Sequence, residues 1–225
     1  MWIDYKGKNS EDLGIVVENL PISLIPVRNA KEIIIPGMDG SLDESDDTYA
    51  NMPYPVLCRA TPDCPFELIS EWLNGTGDLI SSREPNKKYR AWFINRESDS
   101  DLFIFLRTTL MFSISPFKYE ATPEVITLTS SGVIINPGTR FSLPIITVYG
   151  AGTVTINGYS LTVSATAGEN FVIVNSEIQE CYYDLTTSRN DKVSGLFPII
   201  DPGECAVTLG AGITRIDIDG NWRWF

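Results

Sequence analysis

The sequence predicts a mainly β protein, with an N-terminal β domain that carries one helix and a C-terminal β-sandwich. Three patterns support this fold class. Turn residues recur about every 8 to 12 positions after residue 125, a clear helical periodicity lies at residues 65–73, and a proline-containing turn at 115–123 separates the halves. We therefore predict domains at residues 1–120 and 121–225, and the 43% hydrophobic content is sufficient for a core in each.

The N-terminal half is predicted to form short strands and one helix. Residues 2–35 are interrupted by prolines of the kind found at strand ends and edges. Pro65 suits the first turn of the helix, and Phe66, Ile69 and Leu73 share one of its faces, which predicts that the helix docks on a sheet. Further strands are predicted at residues 79–82, 88–95 and 102–113.

An acidic segment at residues 37–47 admits two interpretations. An EF-hand calcium loop needs Gly at its sixth position and Glu at its twelfth. Counting from Asp39, those positions hold Glu44 and Ala50. We therefore favour a solvated, mobile hairpin tip, between residues 31–36 and 54–58, over an ion site.

The C-terminal half alternates apolar and polar residues between its turns. Residues 153–163 are the clearest hairpin, because Asn157 and Gly158 supply the positive φ values of a type I′ turn. The last strand, at 214–219, alternates in the same way. Trp222 and Trp224 then share a face, for which we favour burial against the sandwich over an exposed sugar-binding surface.

The composition excludes several classes of function. A net charge of −12 opposes binding to nucleic acid or to an anionic membrane. No apolar stretch approaches the roughly 20 residues that span a bilayer, and we see no signal peptide, so we expect a soluble protein made in a cytoplasm.

The residue types also oppose catalysis. The chain has no histidine and no Cys-x-x-Cys pair, which removes the common nucleophile–base pairs and zinc sites. The four cysteines are expected to be reduced thiols, and acidic pairs such as Asp217 with Asp219 are interpreted as solvated rather than as a glycosidase dyad. We therefore predict no catalytic residue, no metal site and no cofactor.

Several segments, in order along nearly the whole chain, resemble the distal tail protein, or baseplate hub, of long-tailed phages that infect Gram-positive hosts. Each is weak alone, and their order carries the resemblance. They are residues 35–42, 112–119, 136–139, 143–150, 175–182, 197–203 and 222–224.

The resemblance implies a structural virion protein of the tail tip that is assembled in the bacterial cytoplasm and is not an enzyme. Its N-terminal domain would close into a homohexameric ring, and its C-terminal domain would be a galectin-like sandwich. The implied partners are the tail tube protein, a tail-associated lysin or fibre protein and, where a baseplate has them, receptor-binding proteins. DNA would pass through the ring without specific binding, because six copies at −12 each carry a formal charge of −72.

Two surfaces are predicted for these roles. A belt hairpin at about residues 36–53 would reach a neighbouring subunit, with its contacts at Asp39, Leu42, Asp43, Asp46 and Tyr49. The alternative function, a carbohydrate-binding module for adhesion to the host cell wall, would use an outer aromatic surface. Its candidates are Tyr159, Tyr182, Trp222 and Trp224, with Tyr149 and Tyr183 in addition.

Overall fold

The structure is a computed structural model that describes residues 1–22, 24–61, 64, 66–98, 107–164, 169–184 and 186–225. Two compact units are present, one formed by Met1–Ala121 with Phe225 and the other by Thr122–Trp224. Strands dominate both units, and the described residues contain one α-helix. The predicted mainly β fold class is confirmed.

The first unit is built on a seven-stranded antiparallel sheet with the order β2-β1-β7-β8-β9-β6-β3, and β4 and β5 pair with each other as a separate two-stranded sheet. A short 3-10 helix covers Glu11–Leu13. The elements are β1 (Ile3–Tyr5), β2 (Lys8–Asn9), β3 (Ile15–Asn19), β4 (Arg28–Ile33), β5 (Leu42–Tyr49), β6 (Met52–Ala60), α1 (Phe66–Leu73), β7 (Thr76–Ser81), β8 (Glu84–Ser98) and β9 (Arg107–Glu120).

Helix α1 docks on this sheet as its periodicity predicts. Trp72 and Leu73 are buried, and Ile69 packs against the same core. The Trp72 indole N–H donates to the carbonyl oxygen of Tyr5 at 2.8 Å, and the Tyr5 ring meets Phe112 edge-on with 5.1 Å between centroids. These contacts join the helix to β1 and β9, which are distant in sequence.

The predicted turn at residues 115–123 is wrong for its first part, because β9 continues through Pro116 to Glu120. The β8–β9 register shifts between Tyr89 and Ala91, opposite Pro116, so the proline lies in a bulge where its missing N–H removes no ladder bond. Residues 102–106 of the predicted strand at 102–113 lie outside the described residues.

The acidic hairpin is longer than predicted and begins earlier in the chain. β4 and β5 pair from Arg28–Tyr49 to Ile33–Leu42, so the tip is residues 34–41 and Asp43 lies within a strand. We call residues 28–49 the β4–β5 ribbon. The predicted bounds of 36–53 are wrong because the described side chains of β4 are exposed on both faces, which leaves no apolar alternation to mark a strand.

The second unit is a β-sandwich of a six-stranded sheet, β10-β20-β12-β15-β16-β17, and a five-stranded sheet, β11-β19-β13-β14-β18. A 3-10 helix covers Asn190–Lys192. The strands are β10 (Val125–Leu128), β11 (Gly132–Asn136), β12 (Ile145–Gly150), β13 (Gly152–Ile156), β14 (Tyr159–Val163), β15 (Phe171–Asn175), β16 (Glu180–Asp184), β17 (Thr187–Ser188), β18 (Val193–Gly195), β19 (Gly203–Leu209) and β20 (Ile213–Asp219).

Both sheets contribute to one core. Val148 and Ile216 come from the first sheet, and Val154 and Ile156 from the second. The predicted hairpin is confirmed, because β13 and β14 pair through Ile156 and Tyr159 around Asn157 and Gly158, both of which have positive φ.

Candidate functional site

The Asn-Pro-Gly-Thr segment at residues 136–139 has a structural role. The amide of buried Asn136 accepts a hydrogen bond from the Gly138 N–H at 2.8 Å. It donates to the carbonyl oxygens of Arg140 at 3.2 Å and Ile200 at 2.9 Å. A Cβ at Gly138 would overlap the carbonyl oxygen of Arg223, so this loop requires glycine to reach the C-terminal tail.

The aromatic tail does not form the predicted outer surface. Trp222 is only 7% exposed and belongs to the sandwich core, against which Trp224 also packs. Gly220 makes room for the Trp222 ring, which a Cβ there would overlap. The alternative in which Trp222 forms part of an exposed platform is therefore wrong, because this indole is a core residue, and Trp224 is half-buried against the same core, as the favoured burial interpretation expected.

A different row of rings crosses the outer face of the six-stranded sheet. Val148, Val172 and Ile216 point into the core, so their neighbours Tyr149, Phe171 and Arg215 face outward. The Arg215 guanidinium lies 4.0 Å from the centre of the Tyr149 ring, whose centroid is 5.6 Å from that of Phe171. The Tyr183 ring stacks on Phe171 at 4.7 Å, so we call Arg215, Tyr149, Phe171 and Tyr183 the aromatic row.

The charged end of the aromatic row is held in place by neighbouring strands. Arg215 donates to the Asp217 carboxylate at 2.8 Å, and the Thr127 hydroxyl donates to its other oxygen at 2.7 Å. The hydrogen bond with Tyr149 raises the pKa of the Arg215 guanidinium. The row therefore presents fixed polar groups beside apolar ring surface.

The sequence-predicted aromatic residues are divided between the two sheets. Tyr182 pairs with Ile173 in the six-stranded sheet beside the aromatic row, whereas Tyr159 lies on β14 in the other sheet. Phe171 and Arg215 were missed because only tyrosines and tryptophans were considered. The sequence does contain a signal for both, since each is adjacent to an apolar residue in a strand that alternates inward-facing and outward-facing positions.

The β4–β5 ribbon is a second candidate surface, and it carries exposed apolar side chains. Ile34 is 77% exposed at the tip and Leu42 is 48% exposed on β5. Asn29 and Thr48 join the two strands by a side-chain hydrogen bond of 2.9 Å, and Arg28 forms an ion pair with Asp47.

The predicted contact residues are distributed along this ribbon. Asp39 is exposed at its tip, Leu42 and Asp43 are exposed at the start of β5, and the Tyr49 ring meets Phe117 with 5.7 Å between centroids. The side chain of Asp46 lies outside the part of the chain that the structure describes.

Neither a metal-binding cluster nor a reactive thiol is found in the described part of the chain. No group of three or more Cys, Asp or Glu side chains there is placed to hold a metal ion. All four cysteines are buried free thiols. Burial raises the pKa of Cys58 to about 12 and that of Cys181 to about 11, so both are protonated at neutral pH. Within the same residues, no helix is long and apolar enough to cross a membrane.

No family model and no curated protein matches the chain. Among solved structures, it is similar to the Dit protein of phage SPP1, a paradigm of the hub adsorption apparatus in phages that infect Gram-positive bacteria. The identity is 15%, the TM-score is 0.75, and the match covers 100% of this chain and 99% of the other. A chain of the phage P2 baseplate in its activated conformation with Ca is also similar, with 7% identity, a TM-score of 0.50 and 96% coverage of both chains. The resemblance found in the sequence is thus confirmed at the level of the fold, because the chain shares the fold of the SPP1 Dit protein over all the residues given.

Proposed function

We propose that the chain is a structural hub protein of a phage tail tip. The observation that carries this proposal is the fold match over the whole chain with a hub protein. In this role the protein has no catalytic activity and is assembled in the bacterial cytoplasm. It joins the tail tube protein to a tail-associated lysin or fibre protein, and receptor-binding proteins attach where the baseplate has them.

We propose further that the first unit forms a homohexameric ring through the β4–β5 ribbon. A two-stranded sheet by itself is marginally stable in water, and this ribbon exposes apolar residues such as Ile34 and Leu42. A neighbouring copy that covers the ribbon removes both problems, because it buries the apolar side chains and pairs or covers the edges. In a closed ring every copy makes the same contacts, so no ribbon remains uncovered.

The mass of the protein in solution tests the ring. A hexamer has a mass of about 150 kDa, six times the 25.0 kDa of the chain. We expect the double variant Ile34→Asp, Leu42→Asp to shift the protein to monomers with an unchanged melting profile of the second unit. The control is Leu68→Asp on α1, which changes a residue with the same 48% exposure as Leu42. A hexamer that survives the ribbon variant would remove the ribbon from the interface.

The acidity of the chain supports a passage for DNA rather than a binding site. A ring of six copies at −12 each carries a formal charge of −72, which repels the phosphate backbone. We expect no retention of duplex DNA in a gel-shift assay at low salt, where electrostatic binding is strongest. Retention that decreases with added salt would contradict this part of the proposal.

The aromatic row favours a second candidate function, saccharide binding at the host cell wall. The ring surface of Tyr149 and Phe171 that Arg215 and Tyr183 leave uncovered offers contact to sugar C–H groups, and the fixed Arg215–Asp217 pair offers hydrogen bonds to hydroxyls. An array of neutral cell-wall oligosaccharides, probed with the full chain, tests it. Binding that Phe171→Ala abolishes and Tyr159→Ala leaves unchanged would support this function, whereas binding insensitive to Phe171 would exclude the row.

A further inference from the structure

The sandwich contains a cavity of about 140 Å³ on the side where both sheets end in short strands, β17 and β18. Its floor is formed by the buried core residues Leu161, Val174 and Cys181, and the segment 193–197 forms one wall. Leu196 in that wall is 65% exposed, so the cavity opens to solvent. A cavity of this size, about 150 Å³ in a studied case, accepts one benzene molecule. This one therefore has room for one leucine- or phenylalanine-sized side chain.

The cavity exists because β18 has no side chain at a position that faces the core. Gly195 is paired with Leu161, whose side chain points inward, so the inward position of β18 at this level is empty. Gly195 has a φ of +121°, and a Cβ on it would overlap the carbonyl oxygen of Ser160. A side chain at position 195 would therefore meet the backbone of β14, so the chain cannot fill the space from this position.

The backbone beside the cavity is arranged to accept another strand. The Ser164 N–H donates to the Lys192 carbonyl oxygen at 2.8 Å, and the Leu196 N–H donates to the Ser160 carbonyl oxygen at 3.1 Å. In an antiparallel ladder this pattern directs the backbone groups of Val193 and Gly195 away from β14. β18 is the terminal strand of its sheet in the described residues, so these groups face the open edge.

The surroundings indicate the chemistry of the occupant. The polar residues that line the cavity, Gln179, Asn190 and Ser194, are uncharged. Residues 121–225 carry five Lys and Arg against ten Asp and Glu, so the unit around the cavity is acidic. An apolar side chain flanked by basic residues is complementary to this surface.

We propose that this open side of the sandwich binds an extended, basic segment of another protein, which pairs with β18 and inserts one apolar side chain into the cavity. Main-chain pairing at a sheet edge supplies affinity in such complexes, and a pocket beside the edge supplies specificity. The site is independent of the ribbon contacts proposed for the ring, and it differs from the aromatic row, which lies on the outer face of the other sheet.

Two measurements on the full chain test the site. The first is a titration with toluene, an analogue of the phenylalanine side chain, followed by methyl NMR. Saturable shifts of the Leu161, Val174 and Val193 methyl signals, with Val133 on β11 unchanged, are expected. Absence of saturable shifts at these methyls would overturn the cavity as a side-chain site.

The second measurement uses peptides selected from a random nine-residue display library against the full chain. We expect the selected peptides to share one leucine- or phenylalanine-sized residue between basic residues. Their affinity should fall about tenfold for Leu196→Asn, which removes an apolar rim contact without adding a charge, and should not change for Val133→Asn, a control on the opposite edge with 61% exposure against the 65% of Leu196.

Backbone pairing is tested separately by N-methylation of the selected peptide at its apolar residue and at each of the two neighbouring residues, one amide at a time, which removes a donor and leaves the side chain. Loss of binding is expected for at least one of the three, and undiminished binding of all three would overturn the pairing with β18. Selected peptides without an apolar anchor, or insensitive to Leu196→Asn, would overturn the proposal. Self-association of the protein that Leu196→Asn abolishes would instead identify a second copy as the occupant and would equally overturn it.

Discussion

At the scale of single residues, the second unit depends on a few buried polar groups whose partners are distant in sequence. Asn136 is the clearest case, because one side chain fixes its own loop and donates to the carbonyl oxygen of Ile200, 64 positions away in the sequence. The loop in turn contacts the C-terminal tail, where the N–H groups of Thr139 and Arg140 both donate to the carbonyl oxygen of Arg223. The residues of this loop, which carried part of the sequence resemblance, therefore maintain the fold.

We expect Asn136→Ala to destabilise the second unit by about 2–4 kcal/mol, since the change removes three hydrogen bonds and leaves buried partners unsatisfied. Urea unfolding followed by the fluorescence of Trp222 and Trp224 measures the effect. Ser131→Ala in the same unit is the control, because the Ser131 hydroxyl accepts one exposed hydrogen bond from the Leu209 N–H. An effect of Asn136→Ala no larger than that of the control would contradict the structural role.

The pair of Glu169 and Arg189 gives a prediction for pH. Arg189 donates two hydrogen bonds to the carboxylate, one of them 2.7 Å long, and these hold the pKa of Glu169 below its ordinary value of 4.5. A lowered carboxyl pKa stabilises the folded state above 4.5, and this contribution is lost as the pH falls through the lower folded pKa.

We therefore expect the melting temperature of the wild type to fall more steeply between pH 5 and pH 3 than that of Glu169→Gln. The difference between the two slopes reports the contribution of this pair to the stability of the folded state. Calorimetry across the pH range measures both slopes. Glu204→Gln, at an exposed position on β19, should retain the wild-type slope. Equal slopes for the wild type and Glu169→Gln would show that the pair contributes no pH dependence.

At the scale of elements, the sequence predicted those helices and turns that depend on particular residues at particular positions. The helix at α1 and the turn at Asn157 and Gly158 were predictable, because a helix start and a type I′ turn need particular residues. The β4–β5 ribbon was not, because neither of its faces is buried and its pairing leaves no periodic trace. The aromatic row was missed for another reason, since it depends on which strands become neighbours.

Substitution of two glycines by alanine distinguishes the free energy lost to a strained backbone conformation from the free energy lost to a steric clash. Gly158 has φ +81°, and no atom lies within 4 Å of the position that a Cβ would take, so Gly158→Ala should cost only the strain of a positive φ, about 1 kcal/mol. At Gly150, with φ +96°, a Cβ would in addition overlap the carbonyl oxygen of Gly212. Gly150→Ala should therefore cost clearly more, about 2–4 kcal/mol. Equal unfolding free energies for the two variants would contradict this distinction.

At the scale of the whole molecule, the two units have separate cores and different candidate roles. The core of the first gathers around Tyr5, Trp72 and Phe112, and that of the second around Val148, Ile156 and Ile216. Exposed apolar residues concentrate on the β4–β5 ribbon of the first unit, whereas the cavity and the aromatic row belong to the second. This separation is the basis of the division that we propose for a hub, with assembly in one unit and attachment of other molecules in the other.

The same separation predicts how fragments behave. Residues 122–224 bury a complete core from two sheets, so we expect this fragment to fold alone as a monomeric β-sandwich with a cooperative melting transition. Residues 1–121 should retain assembly, because they contain the β4–β5 ribbon with its exposed Ile34 and Leu42. Analytical ultracentrifugation of both fragments measures the two masses, and the double variant Ile34→Asp, Leu42→Asp in the N-terminal fragment serves as the control for assembly through the ribbon. A hexamer formed by residues 122–224 would reverse the assignment, because the assembly contacts would then lie on the sandwich.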